Sequence, residues 1–316
     1  MKNRILDIAF CVNDVWLSYV TVSIKSIIEN NKSYTINIHI ITDHISEANE
    51  KRLLSEVQGY KNVSVRIYWI DDTPLKKLRV STRWPIYTWY RILLPQILSD
   101  KINKVLYLDA DIVVVDDIGE LFAIDMKEKS IAAVLDSLTF ETVLYQRLGY
   151  ESSKHYVSSG VLLMNLQFWR ENDLTEMIID WAVKNDSELR YPDQDAINYI
   201  CRDTKVLLPL RFNILYALFY TDKFYSNEKR QMEECLDKPA IIHFTDDYKP
   251  WFIDTIQHPM YKKWIKYNNL LRTPVKRCYK STGILRLKIF IWDLFHPRKK
   301  RSVLTKNQIR EILSHY

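Results

Sequence analysis

Lys104-Val105-Leu106-Tyr107-Leu108-Asp109-Ala110-Asp111 is the stretch whose reading decides the fold. Its first five residues read as a strand apolar enough to be buried, and two carboxylates at the carboxyl end of such a strand are costly unless a positive charge meets them. Residues i and i+2 of an extended chain point to the same side, so Asp109 and Asp111 can converge on one cation. Hard divalent ions favour oxygen ligands and often arrive with a substrate's phosphates. The other reading is a turn with solvated acids. The strand before the pair and the apolar Ile112-Val113-Val114-Val115 after it weigh towards a metal–diphosphate site.

Working outward, residues 5–12 read as a buried strand, 16–30 as a helix, 37–42 as a strand, 46–57 as a helix with Ser46 as its N-cap, and 63–70 as an alternating strand. Strand–helix–strand–helix–strand with short connections predicts an α/β fold with a right-handed, mainly parallel sheet. Residues 87–98 read as a helix feeding the Asp109 strand. Further on, 131–135, 161–166 and 240–244 read as strands, and 175–184 and 193–200 as helices. Ligands of such sheets gather beyond the carboxyl ends of the strands, where residues 11–14 and 109–111 should both sit. No internal repeat or low-complexity linker interrupts the chain before about residue 270, so one compact domain, 1–270, is expected.

Aromatic residues are plentiful (20 Tyr, 9 Trp, 11 Phe), while the count of only 5 Gly argues against a glycine-rich nucleotide cradle and against disorder. Four scattered cysteines form no C-x-x-C, which fits neither a disulfide framework nor a zinc site. The net charge of +6 is unevenly placed: residues 272–316 carry twelve Lys/Arg against two acids, and the rest of the chain is mildly acidic. The first ten residues lack the long apolar run and cleavage site of a signal peptide, and no apolar stretch reaches spanning length, so a cytoplasmic location is expected.

Six blocks in order carry a resemblance. They are Phe10-Cys11-Val12-Asn13-Asp14, Tyr87-Thr88-Trp89-Tyr90-Arg91, Leu106-Tyr107-Leu108-Asp109-Ala110-Asp111, Ser159-Gly160-Val161-Leu162-Leu163-Met164-Asn165-Leu166, Tyr191-Pro192-Asp193-Gln194-Asp195, and His243-Phe244-Thr245-Asp246-Asp247-Tyr248-Lys249-Pro250-Trp251. Over residues 5–255 the chain resembles the retaining glycosyltransferases of family 8, a group with bacterial lipopolysaccharide galactosyl- and glucosyltransferases and glycogenin. The resemblance implies a GT-A-type, Rossmann-like nucleotide-sugar-binding domain with a mixed, mainly parallel sheet.

It further implies that Asp109, Asp111 and His243 hold Mn²⁺, with Mg²⁺ as a substitute, and that Lys249 meets the diphosphate of a UDP-sugar. Cys11, Val12 and Asn13 match the strand end whose backbone groups hold uracil and ribose, Ala110 lies between the two acids, and Arg91 matches an arginine near the donor sugar and diphosphate. Asp136, Ser158, Ser159, Asp193 and Gln194 match positions beside the sugar, with Gln194 nearest the anomeric carbon and Asp193 beside it as the catalytic pair. The implied reaction moves glucose or galactose to a hydroxyl of a surface glycan such as lipopolysaccharide or a capsule precursor. A neutral amide is a poor nucleophile, so a front-face substitution is expected rather than a double displacement.

The family usually has Asn at the position of Ser158 and Gly at that of Asp246. Ser158 shortens a hydrogen-bonding arm near the sugar. Asp246 either turns outward, since Asp tolerates unusual backbone angles, or points inward and weakens nucleotide binding. In 284–296, apolar residues including Phe290 and Phe295 share one face, and Arg298-Lys299-Lys300-Arg301 follows. This composition predicts a basic amphipathic tail, 271–316, on an anionic membrane surface, which would put the enzyme at the inner face of the cell membrane; a helix packed on the domain is the alternative. No nucleic-acid-binding module is recognisable.

Two other readings compete. Asp109-Ala110-Asp111-Ile112-Val113 also fits the D-x-D-x-[TV] motif of haloacid-dehalogenase-like phosphohydrolases, although that motif normally ends the first strand of its domain. A degenerate, non-catalytic, membrane-associated scaffold is the second.

Overall fold

A computed structural model describes residues 4–219, 229–246, 249–255 and 258–280. A seven-stranded sheet forms its centre, built from β1 (Ile5–Cys11), β2 (Thr35–Thr42), β3 (Val63–Trp69), β4 (Lys104–Leu108), β6 (Ile131–Leu135), β7 (Val157–Asn165) and β8 (Lys205–Leu208) in the order β3-β2-β1-β4-β7-β6-β8. All its strands run in one direction except β7, which is antiparallel to β4 and β6. The sheet is the mixed, mainly parallel one expected. Successive residues of β4 enter opposite cores: Leu106 and Leu108 pack with helix Asp14–Asn30, Val105 and Tyr107 with the 86–98 segment and helix Leu174–Lys184. Cover on both faces explains why its central strands, such as β4 and β6, are nearly continuous apolar runs.

A second, three-stranded sheet has the order β5 (Ile112–Val114), β10 (Ile241–His243), β9 (Ile214–Leu215). β5 continues directly from the Asp109–Asp111 turn and pairs antiparallel with β10, with His243 opposite Ile112 and the Phe244 N–H donating to the Asp111 carbonyl at 2.9 Å. This register carries an imidazole from late in the chain to the end of β4.

The expected helix over 87–98 is broken into two 3₁₀ turns, Ile86–Thr88 and Tyr90–Leu93, and one α-turn, Leu94–Ile97. Pro95 is the reason. It has no N–H for the Arg91 carbonyl, and its ring would clash there in a continuous α-helix, so the Leu94 N–H takes that carbonyl in a 3₁₀ bond instead. β7 begins four residues before the expected start of its strand.

Residues 271–280 pack on the body rather than leaving it at 270. Leu271 and Val275 are buried in the main core, Val275 exchanges both bonds with Asn268, and Cys278 pairs with Phe252. The amphipathic stretch 284–296 and the basic cluster 298–301 lie outside the described residues. No described helix is long and apolar enough to cross a membrane.

Candidate active site

A cleft of about 610 Å³ opens beyond the carboxyl ends of β1 and β4. It is lined by Cys11, Val12, Arg91, Asp109, Ala110, Asp111, Asp136, Ser158, Ser159, Asp193, Gln194, His243, Asp246 and Lys249, all of them sequence candidates. Asn13 is the exception. Its side chain accepts from the Trp16 N–H at 3.2 Å and caps helix Asp14–Asn30. Trp16, in the first turn of that helix, lines the cleft in its place. Sequence reasoning missed it, although an aromatic residue one turn past the end of the first strand stands in the ligand crevice of an α/β sheet.

Asp109, Asp111 and His243 each bring a ligand atom within 4.8 Å of the others. His243 Nε2 lies 3.1 Å from Asp111 Oδ1 and 3.6 Å from Asp109 Oδ2. Its other nitrogen, Nδ1, lies 3.0 Å from the Asn213 side-chain oxygen, an acceptor for an N–H at Nδ1 that would leave the Nε2 lone pair for a cation. Two carboxylates and one neutral imidazole suit Mn²⁺ and leave room for further oxygen ligands. The Lys249 ammonium rests on the Asp111 carboxylate and donates to the Phe244 carbonyl at 2.7 Å. Burial would raise the Asp111 carboxyl, but the Lys249 ammonium outweighs it and holds it well below the usual carboxylate range. Asp111 is therefore charged and ready for a cation.

Gly160 of β7 completes the cluster by having no side chain. A Cβ there would stand 2.2 Å from His243 Cε1 and 2.7 Å from Asp109 Oδ2.

Arg91 supports this cluster from below. Its buried guanidinium reaches Asp109 Oδ1 at 3.1 Å and Asp193 Oδ2 at 3.4 Å, donates to the Ser159 carbonyl at 2.7 Å, and covers the Tyr107 ring at 4.4 Å. Tyr107, two residues before Asp109 on the same face of β4, donates its hydroxyl to Asp109 at 2.6 Å.

Helix Pro192–Ile200 supplies Asp193 and Gln194, with Pro192 at its start and acids in its first turn, the arrangement a helix N-terminus favours. Gln194 is held at both ends of its amide. Oε1 accepts from the Ser159 N–H at 2.9 Å and Nε2 donates to Asp136 at 3.3 Å. Asp136 also accepts from the Leu138 N–H, and its burial keeps its carboxyl above the usual range despite these bonds. Asp195, by contrast, is an anchor. It is fully buried, paired with both terminal nitrogens of Arg147, and accepts from Tyr156 and from the N–H groups of Arg190 and Tyr191.

Asp193 is buried, its Arg91 contact is long, and its carboxyl is pushed up to about 6, burial outweighing the guanidinium. A raised carboxyl binds its proton more tightly folded than unfolded, so this group removes stability as pH rises from the unfolded value towards about 6. In EDTA, Asp193→Asn should flatten that part of the melting-temperature profile. An unchanged slope between pH 4 and 6 would contradict the environment assigned to Asp193.

Of the two family departures, Ser158 is buried and accepts weakly from the Gly160 N–H at 3.5 Å. Asp246 takes a left-handed backbone with φ 57°, and its side chain pairs at 2.9 Å with Arg83, which lines the same cleft.

The chain matches the family model described as Glycosyl transferase family 8 over residues 7–255. It is 31% identical over 254 residues to a lipopolysaccharide 1,2-glucosyltransferase of Escherichia coli, covering 79% of this chain and 74% of that protein. General stress protein A of Bacillus subtilis is 26% identical over 272 residues, 84% of this chain and 94% of that protein. Among solved structures, the galactosyltransferase LgtC in complex with donor and acceptor sugar analogs superposes with a TM-score of 0.76 at 24% identity, covering 90% of this chain and 100% of that one.

Proposed function

Because the chain belongs to glycosyl transferase family 8, and is therefore a glycosyltransferase, we propose that it transfers a hexose, glucose or galactose, from a UDP-sugar to a hydroxyl of lipopolysaccharide or a related surface glycan, with retention at the anomeric carbon. The observation that carries this reading is the Asp109–Asp111–His243 cluster at the floor of the cleft, with Lys249 beside it.

Mn²⁺ held by those three side chains, or Mg²⁺ in its place, would offset the charge of the departing diphosphate. The chain's own residues do the rest. Trp16 offers a ring face for the base, and the Lys249 ammonium is a point charge for phosphate oxygens. Arg91 stays fixed, tying Asp109 and Asp193 into one frame. Gln194, clamped between Ser159 and Asp136, presents a neutral amide to the sugar. It lacks the charge of a glycosidase nucleophile, which favours one-face substitution: the bond from the anomeric carbon to the diphosphate breaks, that to the acceptor oxygen forms, and the acceptor proton leaves on the diphosphate. Asp109 is less suited to phosphohydrolase nucleophilic attack, being held by Arg91 and Tyr107 at the end of the fourth strand. The intact cluster also weighs against a non-catalytic scaffold.

The test is free UDP, followed with Mn²⁺ and a panel of UDP-glucose, UDP-galactose and their N-acetylated forms. Turnover of a hexose donor with an α-linked product supports the proposal. Release of phosphate from simple phosphomonoesters without UDP-sugar turnover would replace it.

We also place the protein at the inner face of a membrane. Residues 258–280 carry seven Lys/Arg and no acid, with Lys262, Lys263 and Lys266 exposed on helix Tyr261–Asn268 and Leu270 and Tyr279 exposed beside them. The cluster 298–301 adds four bases, each worth about 1 kcal/mol at an anionic surface. A chain ending after Lys280 should keep its UDP-sugar turnover and bind phosphatidylglycerol vesicles roughly a thousandfold more weakly. Equal binding by both chains would remove the tail from this role.

A further inference from the structure

We infer that Asn213 is a positioning residue for the cation site, fixing the tautomer and ring plane of His243. It stands between the 3₁₀ turn Leu210–Phe212 and β9, and no spacing in the sequence connects it with the Asp109–Asp111 pair. The small sheet makes the connection: β9 runs parallel to β10, pairing Ile214 with Ile242 and Leu215 with His243. Asn213 thus arrives beside the imidazole with its side chain fully buried, and its Oδ1 lies 3.0 Å from His243 Nδ1.

Both nitrogens of His243 are then accounted for. A neutral imidazole has one N–H and one lone pair; the acceptor at Nδ1 takes the N–H, and Nε2 faces Asp109 and Asp111. Without that acceptor the ring is free to place its proton on Nε2, where it would donate to Asp111 and offer no lone pair to a cation. The other half of the amide carries a second message. Asn213 Nδ2 is buried with no hydrogen-bond partner among the described residues, a cost a purely structural amide would be expected to avoid. Only the carbonyl half is used. An isosteric carboxylate at 213 should therefore serve His243, while an isosteric alkyl group should not.

This inference rests on the cation site proposed above, so it is tested by Mn²⁺ binding itself, read from the electron paramagnetic resonance of the free ion without nucleotide-sugar. For the full chain, Asn213→Leu should raise the Mn²⁺ dissociation constant ten- to a hundredfold, the usual loss when a metal-bound histidine loses its partner. Asn213→Asp should stay within about threefold of the parent, a rescue that a packing role would not give. In a His243→Ala background, Asn213→Leu should change nothing further, because the residue acts through the ring. Asn213→Ala removes the acceptor without adding bulk and takes the same readings if the leucine chain fails to fold. Parent-like affinity in the Leu or Ala chain, or an Asp chain as weak as the Leu chain, would overturn the role of Asn213. No Mn²⁺ binding by the parent would overturn the cation site, and this role with it.

Discussion

Asp109→Asn should lower UDP-sugar turnover about a thousandfold, or about 4 kcal/mol of lost transition-state stabilisation, while the fold stays intact. The amide is isosteric with the carboxylate but carries no charge for a cation, so one of two anionic ligands is lost. The fold has reason to survive. Arg91 keeps its contact with Asp193 and its bond to the Ser159 carbonyl, and the Tyr107 hydroxyl can still donate to the amide oxygen. Turnover should be followed as free UDP at saturating Mn²⁺, with melting measured in EDTA so that lost metal binding is not mistaken for lost stability. Turnover within tenfold of the parent would refute the ligand role of Asp109.

Gly160→Ala should cost a similar amount by a steric route. The added methyl group would meet the His243 ring at 2.2 Å and Asp109 Oδ2 at 2.7 Å, distances no side-chain carbon tolerates. The ring cannot simply turn aside, because Asn213 holds one nitrogen and Asp111 lies 3.1 Å from the other. Nor can Gly160 retreat freely, since its carbonyl accepts from the Asp109 N–H at 2.9 Å between β4 and β7. At least a hundredfold loss of turnover is expected, with about 1–3 kcal/mol of stability lost to overpacking. Chemical denaturation and Mn²⁺ titration measure the two effects separately. A chain that binds Mn²⁺ like the parent would show that the cluster relaxes more than its bonds suggest.

Much of the frame was legible in the sequence because its signals are local. Buried strands such as β1 and β4 are apolar runs, Ser46 caps its helix as expected, and the D-x-D pair needs only the two-residue period of an extended chain to face one ion. The resemblance supplied His243 and Lys249, which no local spacing links to Asp109; their proximity is made by the antiparallel pairing of β5 with β10. What stayed hidden depends on contacts between distant segments. Asn213 reaches His243 only through β9, and Gly160 matters only because of what stands opposite it. Asn13 keeps its main chain at the end of the first strand, where backbone groups were expected to meet the nucleoside, while its side chain caps the following helix. The 86–98 segment was misread for a different reason. Its apolar spacing fits a helix, but Pro95 divides it, and the 3₁₀ turns that result deliver Arg91 beneath Asp109 and Asp193.

The most direct measurement is anomalous diffraction at the manganese edge from crystals grown with Mn²⁺ and UDP. One peak is expected per chain, within coordination distance of an oxygen of Asp109, an oxygen of Asp111 and Nε2 of His243, with the diphosphate of UDP on its open side. A diphosphate bound in the cleft with no metal peak between those three side chains, or a peak elsewhere in the chain, would contradict the assignment on which the proposed transfer depends.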